Sequence, residues 1–155
     1  MTYQAQQETE CGVAYLSRSL MTFNDDDLTE LASQSSLNNE KYNITGYLWF
    51  SSGYFVQYIE GNHSNINRLV KSISSDQRHE LVHKVMRSDL YSRSFPKWSM
   101  RLIGKADRQR FSIELFVAKE LALLQKNFID PTRCEALLWN NVDTLAKLRF
   151  SPTDQ

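Results

Sequence analysis

Two runs rich in β-branched and aromatic residues, 43–51 and 54–60, meet across Ser52-Gly53. A two-residue connection ending in glycine is a strong hairpin signal. An amphipathic helical pattern stands on each side of this pair. Before it, residues 25–38 place Leu28, Leu31, Ala32 and Ser35 at i, i+3, i+4 and i+7, the spacing of one helix face. Asn24 or Asp25 can cap that helix, and three aspartates in its first turn suit the positive end of the helix dipole. After the hairpin, residues 64–75 repeat the helical spacing with Ile66, Leu69, Val70 and Ile73. A strand at 12–19 comes first, with Val13, Tyr15 and Ser17 on one face. Strands near 82–91 and 98–103 come last, separated by Ser94-Phe95-Pro96-Lys97.

The order is therefore βαββαββ. Crossovers are right-handed, so both helices land on one face of the sheet. This predicts an α+β, ferredoxin-like fold with an added strand, giving a five-stranded mixed sheet. Strands 1 and 3 are expected as parallel neighbours at its centre, with a slot between the two helices. Residues 1–10 read as a polar leader, 11–105 as the sheet domain and 106–155 as a C-terminal two-helix segment. The first of those helices spans 107–126 with Phe111, Phe116, Val117 and Leu121. Asp130-Pro131 starts the second, striped by Cys134, Leu137, Leu138, Val142 and Leu145. Two such helices cannot hold a core of their own, so they pack on the open face of the sheet or on a second copy of the chain. Tyr47 and Trp49, with Tyr54 and Tyr58, are the residues expected beneath them.

Charge narrows the function. Among 155 residues, 18 lysines and arginines balance 18 aspartates and glutamates, leaving no basic field for a nucleic-acid backbone or an anionic membrane. The apolar runs are too short to span a bilayer, and residues 1–10 are no secretory signal. Cys11 and Cys134 stand far apart without a CxxC pattern. They read as free thiols of a reducing compartment, and the chain as cytoplasmic.

Sheet faces under helices are normally apolar, yet Tyr15 and Gln57 fall on such faces. In the expected topology they occupy adjacent central strands and can touch, and Asn39, just past the first helix, can reach the same place. Buried polar groups are usually paired, so the two can simply satisfy each other. Alternatively, the pair faces the polar edge of a ligand, since a glutamine amide both donates and accepts. The pattern alone leaves both open. Enzyme chemistry has less support. Ser17 has no obvious base, and no glycine-rich phosphate loop is present. His79 and His83 are four apart but lie beyond the helix, where that spacing does not make a metal site. Asp25–Asp27 are a helix start. No metal is expected.

Five strings change the weighting: VAYLS, SSLNNEKYNITGYLWF, YFVQYIEG, DQRH and FPKWSM, in that order across residues 12–105. Together they resemble the BLUF family, domains that sense blue light using FAD. The resemblance implies FAD as cofactor and a photoreceptor rather than an enzyme. Tyr15 matches the tyrosine that exchanges an electron and a proton with the flavin. Gln57 matches the glutamine between the two, and Trp98 and Met100 match the last-strand Trp-x-Met that responds to it. Asn39 matches the residue holding the polar edge of the ring, with Asn38 beside it. Asp76, Arg78 and His79 match a D-x-R-H segment near the outer part of the cofactor. The flavin is then expected between the helices, against Leu31, Ser35 and Ile73. Many relatives carry a basic residue where this chain has Ser72; Arg68 and Lys71 are the nearby substitutes. The residues after 105 leave no room for a cyclase or phosphodiesterase, so output is expected through a protein partner or a change of homo-oligomer. The alternatives are a small ferredoxin-like enzyme and a flavin-free interaction module, and neither would purify yellow.

Overall fold

The first strand, β1 (Glu10–Ser19), is buried on both faces over most of its length. In the computed structural model, which describes residues 9–104, 107 and 131–148, it has neighbours on both sides. The chain continues through α1 (Asp25–Lys41), β2 (Thr45–Ser51), β3 (Tyr54–Asn62), α2 (His63–Ser75), β4 (His79–Arg87) and β5 (Arg101–Ile103) to α3 (Pro131–Leu148). The five strands form one mixed sheet in the order β4-β1-β3-β2-β5. This is the α+β, ferredoxin-like arrangement with an added strand.

One expectation of strand direction is corrected. β1 and β3 are adjacent but antiparallel. The helical crossover returns β2 in the direction of β1, and the hairpin then reverses β3. That hairpin turns through Ser52 and Gly53, both at positive φ (53° and 84°), as a type I′ turn requires. Among the described strand neighbours, β2 and β5 are the one pair that bonds in parallel, over three residue pairs.

Local chemistry sets the helix limits. Asn24 caps α1: its side chain accepts from the Asp27 backbone N–H at 2.8 Å, and the Asp27 carboxylate accepts from the Asn24 N–H at 3.0 Å. The helix runs past Asn38 to Lys41, so Asn39 lies inside its last turn and is buried there. β4 starts earlier than the sequence pattern implied, at His79, and β5 begins only at Arg101. Trp98 and Met100 thus sit in the irregular segment leading into the last strand, not in it. The expected 107–126 helix, apart from Asp107, lies outside the described residues, as do residues 1–8 of the leader.

Two cores fill the two faces. α1 and α2 cover one, packing Leu28, Ala32 and Ile66 on Val13, Leu48, Phe55 and Ile59. α3 covers the other, setting Cys134, Leu138, Val142 and Leu145 on Leu16, Tyr47, Trp49, Val56 and Tyr58. Tyr47 and Trp49 therefore lie beneath the terminal helix, and the Tyr47 hydroxyl donates to Asn141 Oδ1 at 2.6 Å. Burying such side chains contributes about 1.5–3 kcal/mol each. Gly46 allows β2 to lie close on β3: a Cβ there would come 1.8 Å from the Tyr58 carbonyl oxygen.

Candidate functional site

α1 does not close tightly on the sheet. Its inward face turns polar in the second half, where Gln34, Ser35, Asn38 and Asn39 follow Leu31. A cavity of about 340 Å³ remains between α1, α2 and the sheet, and these five residues line it. α2 contributes Leu69, Ser72 and Ile73 to the facing wall. Tyr15, Leu48, Phe55 and Gln57 form the floor, Phe23 closes one side, and Asp76, Arg78 and His79 stand at the end of α2. Ten residues singled out from the sequence (Tyr15, Leu31, Ser35, Asn38, Asn39, Gln57, Ile73, Asp76, Arg78 and His79) thus meet in one space.

Two floor residues are poorly satisfied by the protein. Tyr15 and Gln57 are directly opposed across the β1–β3 ladder. That register sets their Cβ atoms about 4.5–5.5 Å apart. Tyr15 is 3% exposed, and no described residue hydrogen-bonds its hydroxyl. Burial pushes its pKa far up, with the Asp76 charge adding to the effect, so it is a neutral phenol at any ordinary pH. Gln57 is 8% exposed. Its amide nitrogen faces the Met100 sulfur at 3.7 Å, a weak acceptor, and no described residue donates to its carbonyl oxygen. Both polar ends reach the cavity and are not sealed in the core, where the buried side-chain polar atom left without a partner among the described residues is Trp49 Nε1. The first of the two readings, a Tyr–Gln pair that satisfies itself, therefore does not hold here, and both groups border open space.

Several other polar groups at the site are held by protein partners. The Asn39 side-chain amide donates to the Ser99 carbonyl at 2.7 Å, and Ser36 bonds Ser99 hydroxyl to hydroxyl. These tie α1 to the segment carrying Met100, which is 7% exposed and faces the cavity side of the sheet. Trp98 does not line the cavity. It stacks on Phe95, centroids 5.0 Å apart, and packs with the α3-facing core. Asp76 and Arg78 form a bidentate pair with contacts of 2.6–3.1 Å. That hydrogen bonding holds the Asp76 carboxyl down at about 2 and raises Arg78.

His79 supplies what the sequence seemed to lack, a base beside Ser17. Its Nδ1 lies 2.8 Å from Ser17 Oγ, and its Nε2 is 2.7 Å from the Ile73 carbonyl. The carbonyl requires the proton on Nε2, so in the neutral ring Nδ1 accepts from the serine. Ser17 is fully buried, and no substrate can reach it. The pair is a brace between β1, β4 and the end of α2. His83 faces the other side of β4 from Lys84, and no group of metal ligands occurs among the described residues.

Five lining residues were not singled out, Phe23, Gln34, Leu48, Phe55 and Leu69; Ser72, named as the position where relatives carry a basic residue, also lines the wall. Strand alternation already put Phe55 on the face of Gln57, and helical spacing put Gln34 near Asn38 and Leu69 near Ile73. Phe23 precedes the helix cap, where no periodicity marks it.

A cavity of this kind suits a flat ligand with an apolar body and a polar edge of donors and acceptors. Comparison with known proteins points the same way. The family model described as sensors of blue light using FAD matches residues 11–101. A photoactivated adenylate cyclase subunit beta of Euglena longa is 33% identical over 74 residues, 48% of this chain and 9% of that protein. The subunit alpha of Euglena gracilis is 31% identical over the same share of the chain, 7% of its own length. The chain thus spans less than a tenth of these curated relatives. Among solved structures, a bacterial light-regulated adenylyl cyclase superposes with TM-score 0.66 at 25% identity, over 76% of this chain and 35% of that one. BlrB, a BLUF protein in its dark state, superposes with TM-score 0.65 at 24% identity, over 91% of this chain and 98% of that one; that likeness speaks for the fold alone. Family match, fold and polar-floored cavity agree: the chain belongs to the BLUF family of blue-light sensors, whose cofactor is FAD.

Proposed function

We propose that this chain is a blue-light switch in which Tyr15 and Gln57 convert absorption by bound FAD into a changed hydrogen-bond pattern, relayed to α3 and on to a protein partner or a second copy. The observation that carries this reading is the opposed pair of buried polar groups on the cavity floor. Tyr15 offers an O–H with no protein acceptor among the described residues, and Gln57 offers an amide whose one described partner is a thioether. FAD, when bound, supplies the absorption of blue light and the excited-state electron demand.

The residues present fit the group. Apolar Leu31, Leu48 and Ile73 line the body of the cavity, Asn38, Asn39 and Gln57 give it polar contacts, and Arg78 brings a cation to its end. In the proposed cycle Tyr15 gives up an electron, its proton passes by way of Gln57, and both return. Gln57 is left rotated or tautomerised. A buried hydrogen bond left unmade costs about 1–3 kcal/mol. That is enough to bias a two-state element if the states differ in how the amide is satisfied. Met100, beside the amide nitrogen, is the first protein group to register the change. Tyr15, Asn39, Gln57 and Met100 are thus the residues assigned to the switch, with Trp98 on the relay side. Nothing in this scheme requires the chain to be an enzyme.

The test is a light-minus-dark absorption spectrum of the purified yellow protein, with Gln57→Leu beside it. The expected result is a small, reversible red shift in the natural sequence and none in the variant. A colourless protein, or a shift that survives Gln57→Leu, refutes the scheme. No helix among the described residues is long and apolar enough to cross a membrane.

A further inference from the structure

The cavity accounts for Gln57 but not for a second buried polar side chain on the same strand. Glu60 is fully buried and lies on the opposite, α3-facing side of β3. Four donors converge on its two oxygens. Oε1 accepts from the Phe95 N–H at 2.6 Å and the Thr45 hydroxyl at 3.3 Å. Oε2 accepts from the Tyr58 hydroxyl at 2.9 Å and the Ser94 N–H at 3.0 Å. Hydrogen bonds to a charged acceptor are shorter and stronger than neutral ones. One carboxylate therefore holds a strand phenol and two backbone amides of the segment 93–100.

That segment crosses from one face of the sheet to the other. At its start Phe95 is fully buried against Tyr47 and Tyr58, rings 5.1 and 5.6 Å apart. In its middle the Trp98 carbonyl accepts from the Gly46 N–H at 2.7 Å. At its end Ser99 is bound by Asn39 and Met100 meets Gln57. Tyr58 in turn faces Trp139 of α3, centroids 6.3 Å apart. A displacement at Met100 thus reaches α3 through few contacts, and Glu60 holds the start of the segment and Tyr58 in register with each other.

We propose that Glu60 is the coupling residue of the switch: a positioning residue that makes movement of segment 93–100 felt at Tyr58 and α3, without taking part in the photochemistry. This rests on the proposed function, because it presumes a light-driven change at Gln57.

The experiment uses the full FAD-loaded chain, the natural sequence beside Glu60→Gln and Tyr58→Phe, and two readouts. The first is the light-minus-dark spectrum. The second is light-minus-dark amide hydrogen exchange in α3. The expected result is an unchanged red shift in both variants, with the light-induced change in α3 exchange cut about fivefold or more, the low end of ordinary coupling between sites. A merely structural carboxylate would instead raise exchange across the domain in the dark while leaving the light-induced difference intact, and that outcome overturns the proposal. Loss of the red shift in the variants alone also overturns it, because Glu60 would then act on the site itself. Absence of the red shift in the natural sequence refutes the proposed function, and the coupling role with it. Tyr58→Phe removes one donor and leaves the carboxylate, so it decides the matter if Glu60→Gln does not fold.

Discussion

Replacing Tyr15 by phenylalanine should remove the light response and leave the apoprotein no less stable, an unusual pairing for a buried tyrosine. The ring is kept, and with it the edge-on contact to His79 at 6.3 Å between centroids. The hydroxyl that disappears has no bonding partner among the described residues, and the side chain is 3% exposed. An unsatisfied buried hydroxyl costs about 1–3 kcal/mol. Bordering a cavity lets water recover most of that in the apo state, so the expected gain is from zero to about 1 kcal/mol. Tyr58→Phe is the internal contrast. It deletes a hydroxyl donating to the Glu60 carboxylate at 2.9 Å, and bonds to charged groups are worth about 1.5–3 kcal/mol. Urea unfolding of the FAD-stripped chains, compared at equal m-value, separates the two variants. Tyr15→Phe losing more than about 1 kcal/mol would show that the phenol has a protein partner, and the ligand-facing reading would fail. A reloaded Tyr15→Phe chain that still forms the red-shifted state refutes its role as electron and proton source.

Three further outcomes follow from the geometry. Leu138→Ala, at a 4% exposed position of α3 against the sheet, should cost about 2–5 kcal/mol in chemical denaturation; a loss near zero would mean α3 is not docked in solution. Gly46→Ala should prevent folding, read as loss of the cooperative thermal transition, since its Cβ would stand 1.8 Å from the Tyr58 carbonyl oxygen; a folded variant with ordinary stability contradicts the close β2–β3 approach. Asp76, held at about 2 by Arg78 against an ordinary 3.8, contributes stability that is complete above 3.8 and lost as pH falls toward about 2. Since the Arg78 side chain is 49% exposed, that contribution is about 1 kcal/mol or less. Asp76→Asn should flatten the acid limb of the stability curve across this window, and an unchanged slope would remove the ion pair from the account.

The sheet and its two flanking helices were legible because hydrophobic period and turn chemistry agreed over 12–75: alternation in β1 and β3, stripes in α1 and α2, and Ser52-Gly53 between strands. Of the site, pattern made only Tyr15 and Gln57 legible, and it left two readings of them open. Tyr15 and Gln57 break the apolar rule of the face they occupy, and a polar residue on a core face is visible from period alone. That they face a cofactor, and that Asn38, Asp76, Arg78 and His79 join them, came only with the resemblance to the BLUF family. Strand direction was misjudged for β1 and β3, since a crossover and a hairpin must be composed to obtain it, yet the adjacency that brings Tyr15 to Gln57 did not depend on the direction. The partner of Ser17 escaped notice because His79 sits 62 residues away, on a strand that starts earlier than its apolar pattern. Glu60 showed no signal at all. The pattern places it as the last residue of the second hairpin strand, and only the fold of residues 94–95 over it supplies the two backbone donors that meet it.

The sheet's alternation also limits how a signal can leave the cavity. Gln57 and Tyr58 are consecutive, yet one side chain faces the cavity and the next faces α3. Between them lies the backbone of β3, bonded to β1 on one side and β2 on the other along almost its whole length. A strand held on both edges yields little, so a change of side-chain hydrogen bonding at Gln57 has no compliant route straight through it. The edge beyond β2 differs. There β5 adds three residue pairs, Tyr47–Arg101, Leu48–Leu102 and Trp49–Ile103, and the chain before it has no strand ladder: it is held at Trp98 by Gly46, at Ser99 by Ser36 and Asn39, at Met100 by Gln57, and at its start by Glu60 and by the Arg93–Glu10 ion pair. Weakly paired elements rearrange at the lowest free energy. The path of least resistance from the cavity to α3 therefore runs around that edge, through the segment that begins at Glu60's two backbone donors and ends at the sulfur facing Gln57.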